Sequence, residues 1–226
     1  MTIGLLLLAA LAGFWWAGGS REPARDGAPS WFPDGRALAF VAETGEGVGD
    51  IYRMTVDGSG RRQLTRDPAV DSAPAVSPDG TRIAFESDRD GNFEIYVMNA
   101  DGTGVTRLTR DPARDGAPAW SPDGRRIAFT SDRGNRASAD VWIMDADGTN
   151  LQKVTSTLAN WAPQFSPDGR SLAVQVNLDV VIRLEAARNR PLALNPQKLA
   201  FRRRRHSPMP RPEYRSPATD RRNVSF

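Results

Sequence analysis

The chain has 226 residues, 39% hydrophobic and 25% charged, and its net charge of +3 at pH 7 combines two unlike parts. From Lys198 onward nine Lys/Arg stand against two acids, whereas residues 1–197 hold 21 against 25, so the basic character belongs to the C-terminal stretch. The absence of cysteine excludes disulfides, thiol nucleophiles and thiolate metal sites, and the single histidine, His206, sits in the basic end.

Ile3 to Gly19 is an uncharged apolar run. As a helix it would be about 26 Å long, a little short of the roughly 30 Å hydrocarbon core of a bilayer. Three readings fit it: a cleaved export signal, an uncleaved anchor, or a start that replaces earlier repeats. The run length and the small residues Ala17-Gly18-Gly19 favour the export signal, although Lys and Arg are missing ahead of the apolar run. Residues 1–19 are therefore expected to be a signal peptide or short membrane anchor. Arg21–Trp31 (REPARDGAPSW) nearly duplicates Arg110–Trp120 (RDPARDGAPAW), so the repeat begins inside a loop.

The repeat dominates the rest. Ala73–Thr109, Gly116–Thr155 and Ala28–Thr65 are copies of one pattern, and Trp161 begins a fourth. The prolines of the Pro-Asp-Gly signature, Pro33, Pro78, Pro122 and Pro167, are spaced by 45, 44 and 45 residues. A fixed period in the forties signals an array or a propeller. Each copy divides into four short strands. The first ends in Ser-Pro-Asp-Gly, with residue types suited to a type I turn. The second, Ile83–Phe85 or Ile127–Phe129, alternates large and small. The third is Glu94–Met98 or Asp140–Met144. Asp-Gly then turns the chain into a fourth, Val105–Thr109 or Leu151–Thr155. Four antiparallel strands with short turns make one propeller blade, and blades bury their faces on each other.

The expected fold is thus all-β: an open, incomplete β-propeller of about four four-stranded antiparallel blades, at about 28–65, 73–109, 117–155 and 162–195, within a domain spanning 20–196. Trp31, Phe85, Ile95, Trp120, Phe129 and Val141 are expected to be buried between blades, because they recur at equivalent positions. Trp161 is read as packing in the same way. The fourth copy decays after Asp179–Leu184, and residues 197–226, poor in apolar side chains, are expected to be a basic disordered tail. Three good blades and an eroded one leave two apolar faces uncovered, which implies self-association through exposed blades.

The pattern PAWSPDG…IAFTSDR…DVWIMDADGTNL…VT resembles the TolB-type, WD-like β-propeller repeat over about Ser20 to Asn195. That resemblance implies the fold. The same repeat occurs in periplasmic TolB, in propeller domains of prolyl-oligopeptidase-like peptidases and in some lyases, so it leaves the function open between them. The resemblance covers the propeller alone: TolB carries an N-terminal domain ahead of its propeller, and none of these 226 residues is expected to correspond to it.

Chemistry is sparse. No Gly-x-Ser-x-Gly elbow is present, and His206 in the tail is no general base of a triad. Asp88–Asn92 looks like the start of a calcium loop, but its twelfth position would be Asn99 in place of the bidentate Glu, so a charged turn is the better reading. No phosphate-binding glycine loop appears. No catalytic residue, cofactor or metal is expected. Arg202–Arg205 offers contact to phosphate or anionic lipid, or is the unselected end of a truncated gene, the reading preferred; no nucleic-acid partner is expected.

The loops between second and third strands vary, spanning nine residues at Val41–Gly49, eight at Glu86–Phe93, ten at Thr130–Ala139 and four at Gln175–Leu178. They share one face of the disc with the inter-blade loops. Variable loops on a constant scaffold are where binding resides. The candidate protein-binding face is Asp88, Arg89, Asp90, Arg110, Asp111, Arg114, Asp115, Asp132, Arg133 and Arg136. The repeated adjacent pairs Arg66-Asp67, Arg110-Asp111 and Arg114-Asp115 offer an anion or carboxylate site on the loop face, or are solvated inter-blade ion pairs, the reading preferred. The preferred function is a non-enzymatic scaffold, exported to the periplasm or cell envelope, that binds an envelope protein or lipoprotein; any membrane contact runs through an uncleaved N-terminal segment. The alternative is the residual propeller of a peptidase or lyase without its catalytic part.

Overall fold

The Ser-Pro-Asp-Gly segments close on themselves before they join anything else. In Ser77–Gly80 the Gly80 amide donates to the Ser77 carbonyl at 2.9 Å, and the Ser77 hydroxyl donates to Asp79 at 2.6 Å while accepting from the Arg82 amide at 3.0 Å. Gly80 stands at φ +71°, which a residue without Cβ adopts freely. The same bonds recur at Ser121–Gly124 and Ser166–Gly169. The turn is thus a self-contained unit that sends the first strand of each repeat back as the second.

A computed structural model describes residues 26–44, 48–133, 139–155, 160–176 and 180–185. The strands are β1 (Asp26–Trp31), β2 (Ala37–Thr44), β3 (Val48–Thr55), β4 (Arg62–Gln63), β5 (Asp71–Val76), β6 (Arg82–Ser87), β7 (Glu94–Asn99) and β8 (Thr106–Arg107). They continue with β9 (Asp115–Trp120), β10 (Arg126–Ser131), β11 (Asp140–Asp145), β12 (Gln152–Lys153), β13 (Asn160–Phe165), β14 (Ser171–Val176) and β15 (Val180–Glu185). They form three four-stranded sheets and one three-stranded sheet, each antiparallel and each in sequence order. The all-β, blade-like fold expected from the repeat is what is found. Packing runs first sheet to second, second to third and third to fourth; no comparable packing joins first to fourth among the described residues, so the array is open. The leader (1–19) and tail (197–226) lie outside the described residues.

Each first strand carries one irregularity. Ala28, Ala73, Ala117 and Ala162 all sit at φ between 47° and 51°, each before a proline and each where the pairing register shifts. A left-handed alanine costs free energy and persists only where its surroundings over-determine it. In the third sheet the surroundings are visible: Glu86 of the second sheet accepts the Ala117 amide at 2.9 Å, and the Ser72 hydroxyl holds the other Glu86 oxygen at 2.6 Å.

The core is a set of inter-sheet layers. Ala37, Ala39 and Ile51 of the first sheet pack with Ile83, Phe85, Tyr96 and Met98 of the second. Ala84, Ile95 and Val97 of the second pack with Ile127, Phe129 and Met144 of the third, and Ala128 and Val141 with Leu172 and Val174 of the fourth. Phe85, Ile95, Phe129 and Val141 are fully buried, as expected, and Trp120 is 8% exposed. Trp120 also donates its indole N–H to the Ala75 carbonyl of the preceding sheet at 2.9 Å.

Trp31 departs from the expectation: it is 58% exposed. Its residue type recurs with Trp120, but among the described residues no sheet precedes β1 to cover it. The Trp161 side chain lies outside what is described. Two strand lengths also differ. The outer strands β4, β8 and β12 are two residues each, not five. Leu108 and Thr109 both direct their amides at the Ile95 carbonyl, at 2.8 and 3.4 Å, and the chain then leaves the ladder. Such short edges give a second chain little backbone to pair with. In the first sheet, β2 and β3 stay paired to Thr44–Val48, so the nine-residue loop read over Val41–Gly49 is mostly strand.

Candidate binding face on the loop side

The two loop classes do meet. Asn92, in the loop after β6, donates to the carbonyls of Asp111 and Ala113 in the inter-sheet loop, at 2.8 and 2.7 Å. Asp88 accepts the Val70 amide at 2.8 Å, and Asp132 accepts the Arg114 amide at 2.7 Å. Asp111 accepts the Ala113 amide at 2.9 Å, fixing its own turn. Three candidate carboxylates, Asp88, Asp111 and Asp132, therefore brace backbone.

Arg89 and Arg133 are equally committed. Arg89 reaches both oxygens of buried Asp71 at 2.8 and 3.0 Å and Asp67 at 2.9 Å, while its Nε donates to Ser87 at 2.9 Å. Its guanidinium lies over the rings of Phe85 and Tyr96, at 5.4 and 4.9 Å. Arg133 reaches one oxygen of buried Asp115 and, through its Nε, Ser131 at 2.8 Å, and lies over Phe129 and Trp142 at 5.7 and 4.9 Å. A guanidinium held over aromatic faces combines ion pairing with cation–π attraction. The first sheet lacks Ser-Asp-Arg after β2, yet the arrangement survives: Arg61 grips both oxygens of Asp26 at 2.9 and 3.1 Å and lies over Phe40 and Tyr52 at 5.2 and 4.9 Å. The adjacent Arg-Asp pairs of the sequence are therefore not partners. Asp67 and Asp115 pair with arginines of other loops, and Asp115 is buried, not solvated.

Sequence reading missed a second set of groups. Glu94, first residue of β7 and fully buried, accepts from the Thr109 hydroxyl, from Arg107 at 2.8 Å and from the Asp111 amide at 2.9 Å. Thr109 in turn accepts the Ile95 amide at 2.9 Å. Asp50 with Thr65, and Asp140 with Thr155, repeat the pattern at 3.2 and 3.1 Å. The signal was available: in the first three repeats an acid, Asp50, Glu94 or Asp140, stands at or near the start of the third strand, and a threonine, Thr65, Thr109 or Thr155, follows 15 residues later.

Burial decides the electrostatics. It pushes the Asp115 carboxyl up to about 6, with Ser131 and Arg133 pulling it back only in part. Asp71 and Asp50 are raised by burial too. On the opposite side, hydroxyl and amide donors hold Asp57 and Asp79 down at about 2. Asp90 is lowered by the Tyr96 hydroxyl and then by Arg107, which approaches to 3.1 Å. Among the described residues no group of three or more His, Cys, Asp or Glu side chains is placed to hold a metal ion.

Of the candidate residues, Asp90, Arg110 and Arg114 remain exposed. Arg114 lies over the Phe93 ring at 4.3 Å and 3.6 Å from Glu86, with more than half its side chain in solvent. Arg136 lies outside the described residues.

A model of the TolB β-propeller domain matches residues 19–93 and 72–190. No curated protein sequence matches. Among solved structures, a TolB candidate from Agrobacterium tumefaciens is 28% identical with a TM-score of 0.55, over 67% of this chain and 57% of that one. TolB from Acinetobacter baumannii is 27% identical with a TM-score of 0.58, over 71% of this chain and 43% of that one. A puromycin-hydrolyzing peptidase of Mycobacterium tuberculosis, 17% identical with a TM-score of 0.59, shares the fold over 76% of this chain and 28% of its own. The chain thus spans about half the length of the TolB structures it resembles. With the family match covering most of its length, and with sheets that repeat in register, the chain belongs to the TolB β-propeller domain family.

Proposed function

We propose that the chain is a non-enzymatic TolB-like scaffold that binds a protein partner in the cell envelope through its loop face. The observation that carries this reading is the division of labour on that face. Asp88, Arg89, Asp111, Asp115, Asp132 and Arg133 hold the loops in place, while Arg110, Arg114 and Asp90 stay exposed on them. Charged groups on a braced frame suit recognition of a macromolecular surface, with little loop ordering to offset on binding. The apolar Ile3–Gly19 run supports export, and the likeness to TolB structures supports an envelope protein as partner. The peptidase likeness is one of fold alone, so the propeller of a peptidase or lyase remains the second reading.

The test is affinity capture from envelope fractions with wild type and with Arg110→Glu/Arg114→Glu. A specific envelope protein retained by wild type and lost by the variant is the expected result. Equal capture by both places binding elsewhere. Turnover in peptide or ester panels that survives removal of residues 198–226 overturns the non-enzymatic reading.

A further inference from the structure

The structure splits each adjacent Arg-Asp pair of the loop face. Asp67 and Asp111 each accept the amide two residues on, Ala69 at 3.2 Å and Ala113 at 2.9 Å, across an intervening proline. Asp67 also holds Arg89 at 2.9 Å, and Asp115 is buried against Arg133. The carboxylates thus turn inward, and the arginines ahead of them, Arg66, Arg110 and Arg114, are left exposed. Among the described residues neither Arg66 nor Arg110 makes an ion pair or a side-chain hydrogen bond, and Arg114 meets Glu86 no closer than 3.6 Å.

The other acids around them are engaged. Asp88 and Asp132 accept the amides of Val70 and Arg114, and Asp90 meets the Tyr96 hydroxyl and Arg107. Glu86 accepts the Ala117 amide and the Ser72 hydroxyl. The charges left without a partner among these groups are therefore cationic. Arg66 and Arg110 also hold the same place in successive repeats, each directly after the threonine that donates to the acid of the third strand. Stacked sheets lie about 10 Å apart and an extended chain advances about 3.3 Å per residue, so an extended segment with acids about three to five residues apart reaches from one arginine to the next.

We propose that the partner engages this face through an extended acidic segment, whose carboxylates pair with Arg66, Arg110 and Arg114. The inference rests on the protein-binding reading above and adds the chemistry of the partner. A guanidinium takes a carboxylate through two parallel N–H donors, and here the loops that carry the arginines are already braced, so little order is lost on binding. Arg66 lies in the loop between β4 and β5 and Arg110 in the loop between β8 and β9, so the face extends across two successive sheet junctions.

The probe is a fluorescein-labelled Ser/Gly peptide with a glutamate at about every fourth residue, read by fluorescence anisotropy against the full-length chain at low salt. The wild type should bind it, and a peptide with lysines in place of the glutamates should not bind. Arg66→Glu/Arg110→Glu should weaken binding about tenfold. Arg66→Gln/Arg110→Gln, which removes charge without adding any, should weaken it in the same direction and decides the matter if the glutamate variant fails to fold. Serines in place of Arg202–Arg205 should leave binding unchanged, which separates the loop face from the basic end. No binding by wild type overturns the proposal, as does equal binding by the arginine variants or by the lysine peptide. In the envelope capture described above, the glutamate peptide should compete with the retained protein. Capture lost in Arg110→Glu/Arg114→Glu but untouched by the peptide leaves the protein-binding reading standing and overturns this one. Equal capture by wild type and that variant overturns the reading of the face itself, and this inference with it.

Discussion

Asp26, Asp71 and Asp115 open the first three sheets, and each is held by an arginine that also covers an aromatic pair. The pairs are not equivalent: the Asp26–Arg61 pair is nearly half exposed, whereas Asp71 and Asp115 are buried. Truncating one partner of a buried pair leaves the other charge uncompensated, a loss of about 3–5 kcal/mol; an exposed pair contributes about 0–1 kcal/mol. Arg133→Ala should therefore destabilise far more than Arg61→Ala, as measured by urea unfolding. Asp115 adds a pH dependence. Its folded carboxyl is raised to about 6 against an ordinary 3.8, so the native state binds this proton more tightly than the unfolded chain. The stabilisation from that proton is complete below the ordinary value and is lost as pH rises through about 6, on the order of 3 kcal/mol in all. Relative to Asp115→Asn, wild type should lose stability between pH 4 and 6.5; a constant difference would contradict the assignment. The arginine after Ser-Asp was legible in the sequence as a repeated position, though its partner was not. Arg61 was not legible at all, because strand pairing brings it to Asp26 across 35 residues.

At the scale of elements, the turns transmit order from sheet to sheet. Gly102, at φ +85°, leaves no room for a Cβ, which would stand 2.8 Å from the Leu64 carbonyl oxygen of the preceding sheet. Gly102→Ala combines that clash with an unfavourable backbone and should cost about 1–3 kcal/mol, whereas Gly58→Ala, at φ +81° with open space, should cost less. Thermal unfolding of the two variants checks the order. Phe85→Ala, at a fully buried junction position, should cost about 3–5 kcal/mol. These turns and the large–small alternation were legible in the sequence, because local residue types dictate them. The length of the β2–β3 hairpin was not: Glu43, Thr44 and Gly45 look like loop, and only the partner strand makes Ala37–Thr44 extend. Trp31 failed for a similar reason, since burial belongs to the neighbouring sheet and not to the residue.

At the scale of the whole molecule, one unit recurs every 44 or 45 residues, and each of the first three copies has the same two-sided construction. Both central strands of a sheet are paired along their length, whereas the two-residue outer strands are barely held. Amide hydrogen exchange, read by mass spectrometry along the full chain, tests this most directly, because buried ladder amides open only with the sheet while edge amides open locally. Slow exchange should centre on β2–β3, β6–β7 and β10–β11, falling at β4, β8 and β12, so that protection repeats with the sequence period. Protection without that period, or slowest exchange in the loops at 88–93 and 110–114, would contradict the account.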